Sequence, residues 1–213
     1  MQSPELSRRP LKSRSSAWAQ RAAAWLAATA VTPNQISLAS TLFAAAGAGA
    51  LLELRAPWSM LACAACIQLR LVCNLLDGMV AVEGGKKSAV GGLYNEIPDR
   101  VADSLFIVAA GYAVAMPWLG WCGALLAACT AYIRTLGGAL GLAQDFRGPM
   151  AKQHRMATLT AACLLGAAES VVWRTHYALA LACWVVAGGS LLTCATRTAA
   201  IARSLRVQAG DRP

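Results

Sequence analysis

The stretch CNLLDGMVAVEGGKKSAVGGLYNEIPDRVAD, residues 73–103, decides how this chain is read. It holds five of the ten carboxylates (Asp77, Glu83, Glu96, Asp99 and Asp103) between long apolar runs. Asn74 and Asp77 are three residues apart, hence on one helical face, and Asn95, Asp99 and Asp103 follow at spacings of four, again on one face. The glycines between them (Gly84, Gly85, Gly91 and Gly92) permit a tight return. Two helix ends can therefore present oxygen-bearing side chains to one another. Clustered carboxylates repel unless a cation sits among them, and oxygen ligands suit Mg²⁺, Mn²⁺ or Ca²⁺. The plainer reading is polar helix ends paired with Arg70, Lys86, Lys87 and Arg100. Solvation alone does not demand an Asp-Gly step followed by a glycine-spaced acidic series.

The surroundings are those of a membrane protein. Of 213 residues 57% are hydrophobic and only 14% charged, against about 25% charged in ordinary soluble domains. Apolar stretches of the length that crosses a ~30 Å hydrocarbon core recur along the chain. In lipid the backbone must satisfy itself, so helices are expected; the short alternating segments of a barrel are missing. We read an all-α integral membrane protein with six spans, near 34–54, 57–81, 93–116, 119–142, 155–173 and 177–201. Residues 15–31 read as an amphipathic helix lying in the interface, with Trp18, Trp25 and Leu26 toward lipid and Arg21 toward water. Pro33 breaks that helix and falls at the first turn of the next. The expected organisation is a basic cytoplasmic start (1–14), the interfacial helix (15–31), one membrane domain (32–205) and a short cytoplasmic tail (206–213). No cleavage site of a signal peptide is evident.

The net charge of +9 is distributed by side. Fifteen of the nineteen Lys and Arg fall in the N-terminal segment, the connections after spans two and four, and the tail. The opposite connections hold Arg55 and Arg174, and Arg70 and Arg134 lie within spans. The positive-inside rule then places both termini in the cytoplasm, and the charge reads as orientation and attraction to anionic lipid. No basic domain stands free of the membrane to bind nucleic acid. The eight cysteines lie almost wholly in apolar runs, and the Cys63–Cys66 CxxC has no histidine nearby, so they read as packing residues rather than zinc ligands. His176 reads as a solvated residue of an outer connection.

The acidic stretch resembles the signature of the CDP-alcohol phosphotransferase family, D-x2-D-G-x2-A-R followed after eight or nine residues by G-x3-D-x3-D. Asp77, Gly78, Ala81, Gly91 and Asp99 fall on that pattern at its spacing. Thr32-Pro33-Asn34 resembles the family's start of the first span, Arg134 its arginine in the fourth, and Lys152 to Arg155 its basic pair before the fifth. The chain departs from the pattern at three positions: Asn74 and Asn95 replace the first and third aspartates, and Val82 replaces the arginine.

The resemblance implies transfer of a phosphatidyl group from CDP-diacylglycerol to an alcohol, with release of CMP, at the inner face of a bacterial plasma membrane. It implies Asp77, Asn74, Asn95 and Asp99 as ligands of Mg²⁺ or Mn²⁺, with Asp99 also as general base. Gly78, Ala81, Gly91 and Asn34 would lie against the nucleotide. Arg134, Lys152 and Arg155 are candidates to hold a phosphorylated acceptor such as glycerol 3-phosphate, with Arg147 and His154 secondary. Lys152 to Arg155 equally obey the positive-inside rule. Arg70 suits either a structural pairing with Asp103 or Glu96 or a substrate contact. Glu96 and Asp103 could restore the lost charge, although on an ideal helix Glu96 points about 100° away from Asn95. The small-residue runs 44–50 and 136–143 suit close helix packing and could support a homodimer. Two other classes fit less of the pattern: a non-catalytic relative that binds the nucleotide-lipid, and a cation transporter, which would place its charge nearer the midplane.

Overall fold

The structure, a computed structural model, describes residues 16–175 and 177–210. The basic start (1–14), His176 and the last three residues of the tail lie outside the described residues. Seven helices account for nearly everything described: α1 (Ala17–Ala27), α2 (Pro33–Glu53), α3 (Trp58–Val82), α4 (Gly91–Ala113), α5 (Pro117–Ala139), α6 (Lys152–Val172) and α7 (Tyr177–Ala209). The expected all-α fold is borne out, with α1 as the short leading helix and α2–α7 as a six-helix bundle.

Among the described residues five helices are long and apolar enough to cross a membrane: α2, α3, α5, α6 and α7. The third expected span, α4, falls outside that set for a physical reason. Its first half carries Glu96, Asp99, Arg100 and Asp103, and it buries Asp99 and Asp103 against its neighbours instead of exposing them to lipid. Elsewhere large apolar side chains such as Leu42, Leu125, Leu165 and Leu181 face outward, as suits a bundle whose solvent is hydrocarbon.

Local signals set the helix starts. Thr32 caps α2 reciprocally: its hydroxyl accepts from the Gln35 N–H, and the Gln35 side chain accepts from the Thr32 N–H at 2.9 Å. Pro33 follows at the first turn, as expected. In α1, Trp18 and Trp25 are exposed, whereas Ala19 and Ala23, four apart, are buried against Leu75, Leu76, Met79 and Val80 of α3. Leu26 packs on that cluster with one side and stays partly exposed with the other. At the end of α3, Gly85 adopts φ +67° and begins the return to α4.

Packing rests on small residues. A Cβ on Gly47 of α2 would lie 2.6 Å from Cys66 Cβ and 2.8 Å from a Phe106 ring carbon. In the 44–50 run Gly47 is therefore a true contact point, while a Cβ on Gly49 would meet open space. The tightest crossing joins α4 to α5, where a Cβ on Gly111 would sit 2.5 Å from the Gly120 Cα. Because that neighbour is backbone and cannot rotate away, Gly111→Ala is expected to cost about 1–3 kcal/mol of stability, measurable as a lowered unfolding midpoint in detergent micelles. All eight cysteines are free, and Cys63 and Cys163 are buried between α3 and α6, as packing residues should be.

Candidate active site

The polar residues of α3 and α4 converge at one end of the bundle, around a cavity of about 340 Å³. Its wall comes from the start of α2 (Pro33, Asn34, Ser37), the end of α3 (Asn74, Asp77, Gly78, Ala81, Val82), the 83–90 connection (Lys86, Lys87, Ser88) and the start of α4 (Gly91, Gly92, Asn95). Every residue the family pattern assigned to the nucleotide or the metal lines this one space, except Asp99.

Asp77 is the one carboxylate in that wall. It is buried and accepts a hydrogen bond from Ser37 Oγ at 2.6 Å. Nothing in the sequence motif pointed to Ser37. A weak signal existed in its place four residues after Pro33, one turn into α2, where its hydroxyl also donates to the Pro33 carbonyl. Asn34 donates weakly to Ser88 Oγ at 3.4 Å across the cavity mouth. Lys86 reaches back to the carbonyls of Thr29 and Val31, clamping the end of α1 to the connection.

Asp99 departs from the expected ligand set. Its carboxylate accepts from Arg70 at 3.1 Å, from Asn74 Nδ2 and from Lys152 Nζ, so the chain's own cations surround it. Asn74 is the link: it lines the cavity, and its amide nitrogen bonds Asp99 behind the wall. Its other polar atom, Oδ1, is buried without a hydrogen-bond partner.

Glu96 and Asp103 do not reach the cavity wall. Asp103 lies at the crossing of α3, α4 and α6, accepting from Arg70 at 2.7 Å and Arg155 at 2.9 Å. Arg70 thus takes the structural pairing with Asp103, and it also holds Asp99. Glu96 places both oxygens 2.7 Å from a terminal nitrogen of Arg134, as its rotation away from Asn95 requires.

The basic residues expected to await an acceptor are likewise engaged. Arg134 also donates to Gln144 and lies 5.2 Å above the Phe146 ring. Arg155 donates to Thr130 and to the Met150 carbonyl besides Asp103. Arg147 is exposed and paired with Asp145, and exposed His154 sits by the Pro149 carbonyl. Burial would raise the Asp145 carboxyl, but the Arg147 hydrogen bonds outweigh it and hold that group below its ordinary range.

Arg197 falls within the expected sixth span (177–201) but was counted with the tail-side charges, and its position corrects that count. Helix α7 runs on to Ala209, so Arg197 is buried inside the bundle and donates to the carbonyls of Thr130 and Arg147 at 2.6 and 2.7 Å. The available signal was the apolar, small-residue sequence continuing on both sides of it. Gly148, at φ +123°, lets the 140–151 connection pass over Thr193, whose hydroxyl accepts from the Met150 N–H at 2.9 Å.

Among the described residues no three His, Cys, Asp or Glu side chains are arranged to hold a metal ion. An oxygen site must therefore draw on the asparagines. The cavity meets that condition: Asp77, Asn74 and Asn95 all belong to its wall, and Asn74 Oδ1 is buried without a hydrogen-bond partner. These are hard oxygen donors of the type a divalent cation takes.

The bundle and its charged end define an integral membrane protein with a polar site built at one mouth of the helices. No protein-family model matches the chain. An archaetidylinositol phosphate synthase from Aeropyrum pernix is 30% identical over 165 residues, covering 72% of this chain and 83% of that protein. The chain belongs to the CDP-alcohol phosphotransferase family and is an enzyme of that class. The fold agrees. A Mycobacterium tuberculosis phosphatidylinositol phosphate synthase, solved with manganese and citrate, superimposes with TM-score 0.73 over 86% of this chain and 88% of that one, at 21% identity. Its form with CDP-DAG bound gives TM-score 0.69 over 86% and 92%.

Proposed function

We propose that this enzyme transfers a phosphatidyl group from CDP-diacylglycerol to a polar alcohol and releases CMP, with a divalent metal ion required. The observation that carries the reading is the single cavity in which Asp77, Gly78, Ala81, Gly91 and the two asparagines meet. The catalytic unit is the membrane domain of residues 32–205, oriented by the positive-inside rule with its cavity toward the cytoplasm of a bacterial inner membrane.

The donor's diphosphate lies over Gly78 and Ala81, where the absence of long side chains lets it approach the α3 backbone. The positive dipole ends of α2 and α4 favour an anion at the same place. Lys87, which lines the cavity, supplies a cation that Val82 does not. Asp77, Asn74 and Asn95 would hold a divalent metal ion. A bound Mg²⁺ or Mn²⁺ would supply positive charge against the diphosphate and the leaving CMP. Asp99, kept in place by Arg70, Lys152 and Asn74, takes the proton of the acceptor hydroxyl. The hydroxyl oxygen then bonds to the phosphatidyl phosphorus as the phosphorus–oxygen bond to CMP breaks.

Purified protein given CDP-diacylglycerol, Mn²⁺ or Mg²⁺ and a panel of alcohols is expected to release CMP and form a new phospholipid, and EDTA should stop both. Asn95→Asp should lower the Mn²⁺ concentration giving half-maximal rate by about tenfold, since an added anionic ligand tightens a hard-cation site. Binding of the nucleotide-lipid without CMP release under all these conditions would refute catalysis.

A further inference from the structure

The inward-facing cations of α5, α6 and α7 are already matched by the chain's own groups. Arg134 has both terminal nitrogens committed, one to the two oxygens of Glu96 at 2.7 Å and the other to Gln144. Arg155 is held by Asp103, Thr130 and the Met150 carbonyl. Lys152 is held by Asp99, and Arg197 by two backbone carbonyls. The guanidinium nitrogens of Arg70, Arg100 and Arg155 that lack partners are closed to solvent. Two of these pairs border solvent: Lys152 with Asp99, and Glu96 with Arg134, whose acid is the more open at 38% side-chain exposure.

Recognition of a phosphate needs the reverse arrangement, an arginine edge left open for two parallel hydrogen bonds. Here a carboxylate occupies that edge and repels any second anion approaching it. Such a built-in like charge is a means of rejecting one ligand class. We infer that Glu96 sets the acceptor class, and that the alcohol this enzyme accepts carries no phosphate. The inference rests on the phosphatidyltransferase reading above. It separates this chain at the acceptor from the relatives named as synthases of inositol phosphate lipids.

The test uses the purified full chain in detergent micelles with CDP-diacylglycerol and Mn²⁺. Matched acceptors are compared: glycerol with glycerol 3-phosphate, and inositol with inositol 1-phosphate. The wild type should use the unphosphorylated member of at least one pair with about tenfold or greater kcat/KM, and Glu96→Gln should shift that ratio toward the phosphorylated member by about tenfold through KM. In parallel, calorimetric titration should find no saturable binding of either phosphorylated alcohol to the wild type, and binding to Glu96→Gln. A wild type that prefers the phosphorylated acceptors, or binds them as tightly as the variant does, overturns the inference. Absence of CMP release with every acceptor would instead count against the phosphatidyltransferase reading, and the titration would still decide for or against Glu96. Should Glu96→Gln not fold, the wild-type ratios and titrations decide alone.

Discussion

Asp77→Asn is expected to lower kcat for CMP release by about 10²–10³-fold, the usual cost of losing one preorganised electrostatic partner of a developing charge. Asp77 is the only carboxylate among the cavity's lining residues, so no neighbour in that wall replaces its charge. The substitution keeps the side-chain volume, and the asparagine carbonyl can still accept from Ser37 Oγ. Stability should therefore change by less than ~1 kcal/mol, or rise, since a buried charge is costly to desolvate. Steady-state CMP release and a thermal melt of the same preparation give the two readouts. Activity within tenfold of wild type in a folded variant would remove Asp77 from the site.

Asp103→Asn should do the opposite, striking stability first. Asp103 stands between Arg70 and Arg155, which are 0% and 1% exposed. Neutralising it leaves Arg155 with uncharged partners only and Arg70 with Asp99 alone. Breaking a buried ion pair from one side typically costs about 3–5 kcal/mol, because the remaining charge stays in low dielectric. Equilibrium unfolding in micelles should report a loss of that size, well above that from Glu96→Gln at the solvent border. A loss below ~1 kcal/mol would show that Arg155 and Arg70 find other counter-charges.

These two outcomes separate acids that look alike in the sequence. Asp77, Glu96, Asp99 and Asp103 lie within one acidic stretch, and their spacing correctly placed Asp99 and Asp103 on one helical face. Spacing could not say which partner each face would meet. The positions of Arg134 and Arg155, well along the chain from the stretch, depend on how α5 and α6 dock, and docking assigned Glu96 to one and Asp103 to the other. The same limit explains Arg197. By sequence it counts among the charges of the tail side although the expected span runs through it, and only the docking of α7 shows it bonded to two backbone carbonyls.

Local chemistry was enough for much else. The capping box at Thr32, the proline at the first turn of α2 and the glycine-rich return after α3 all follow from short-range sterics and hydrogen bonding. Such features depend on neighbours a few residues away, and a sequence states those directly. The number and order of the helices belong to the same class, because twenty apolar residues in lipid have few alternatives to a helix. Tertiary packing alone decided which oxygens face the cavity and which are bound to arginine. That choice turns on the rotation of α3 and α4 against α5–α7, and the energy that sets it comes from burying charges in pairs far apart in the chain.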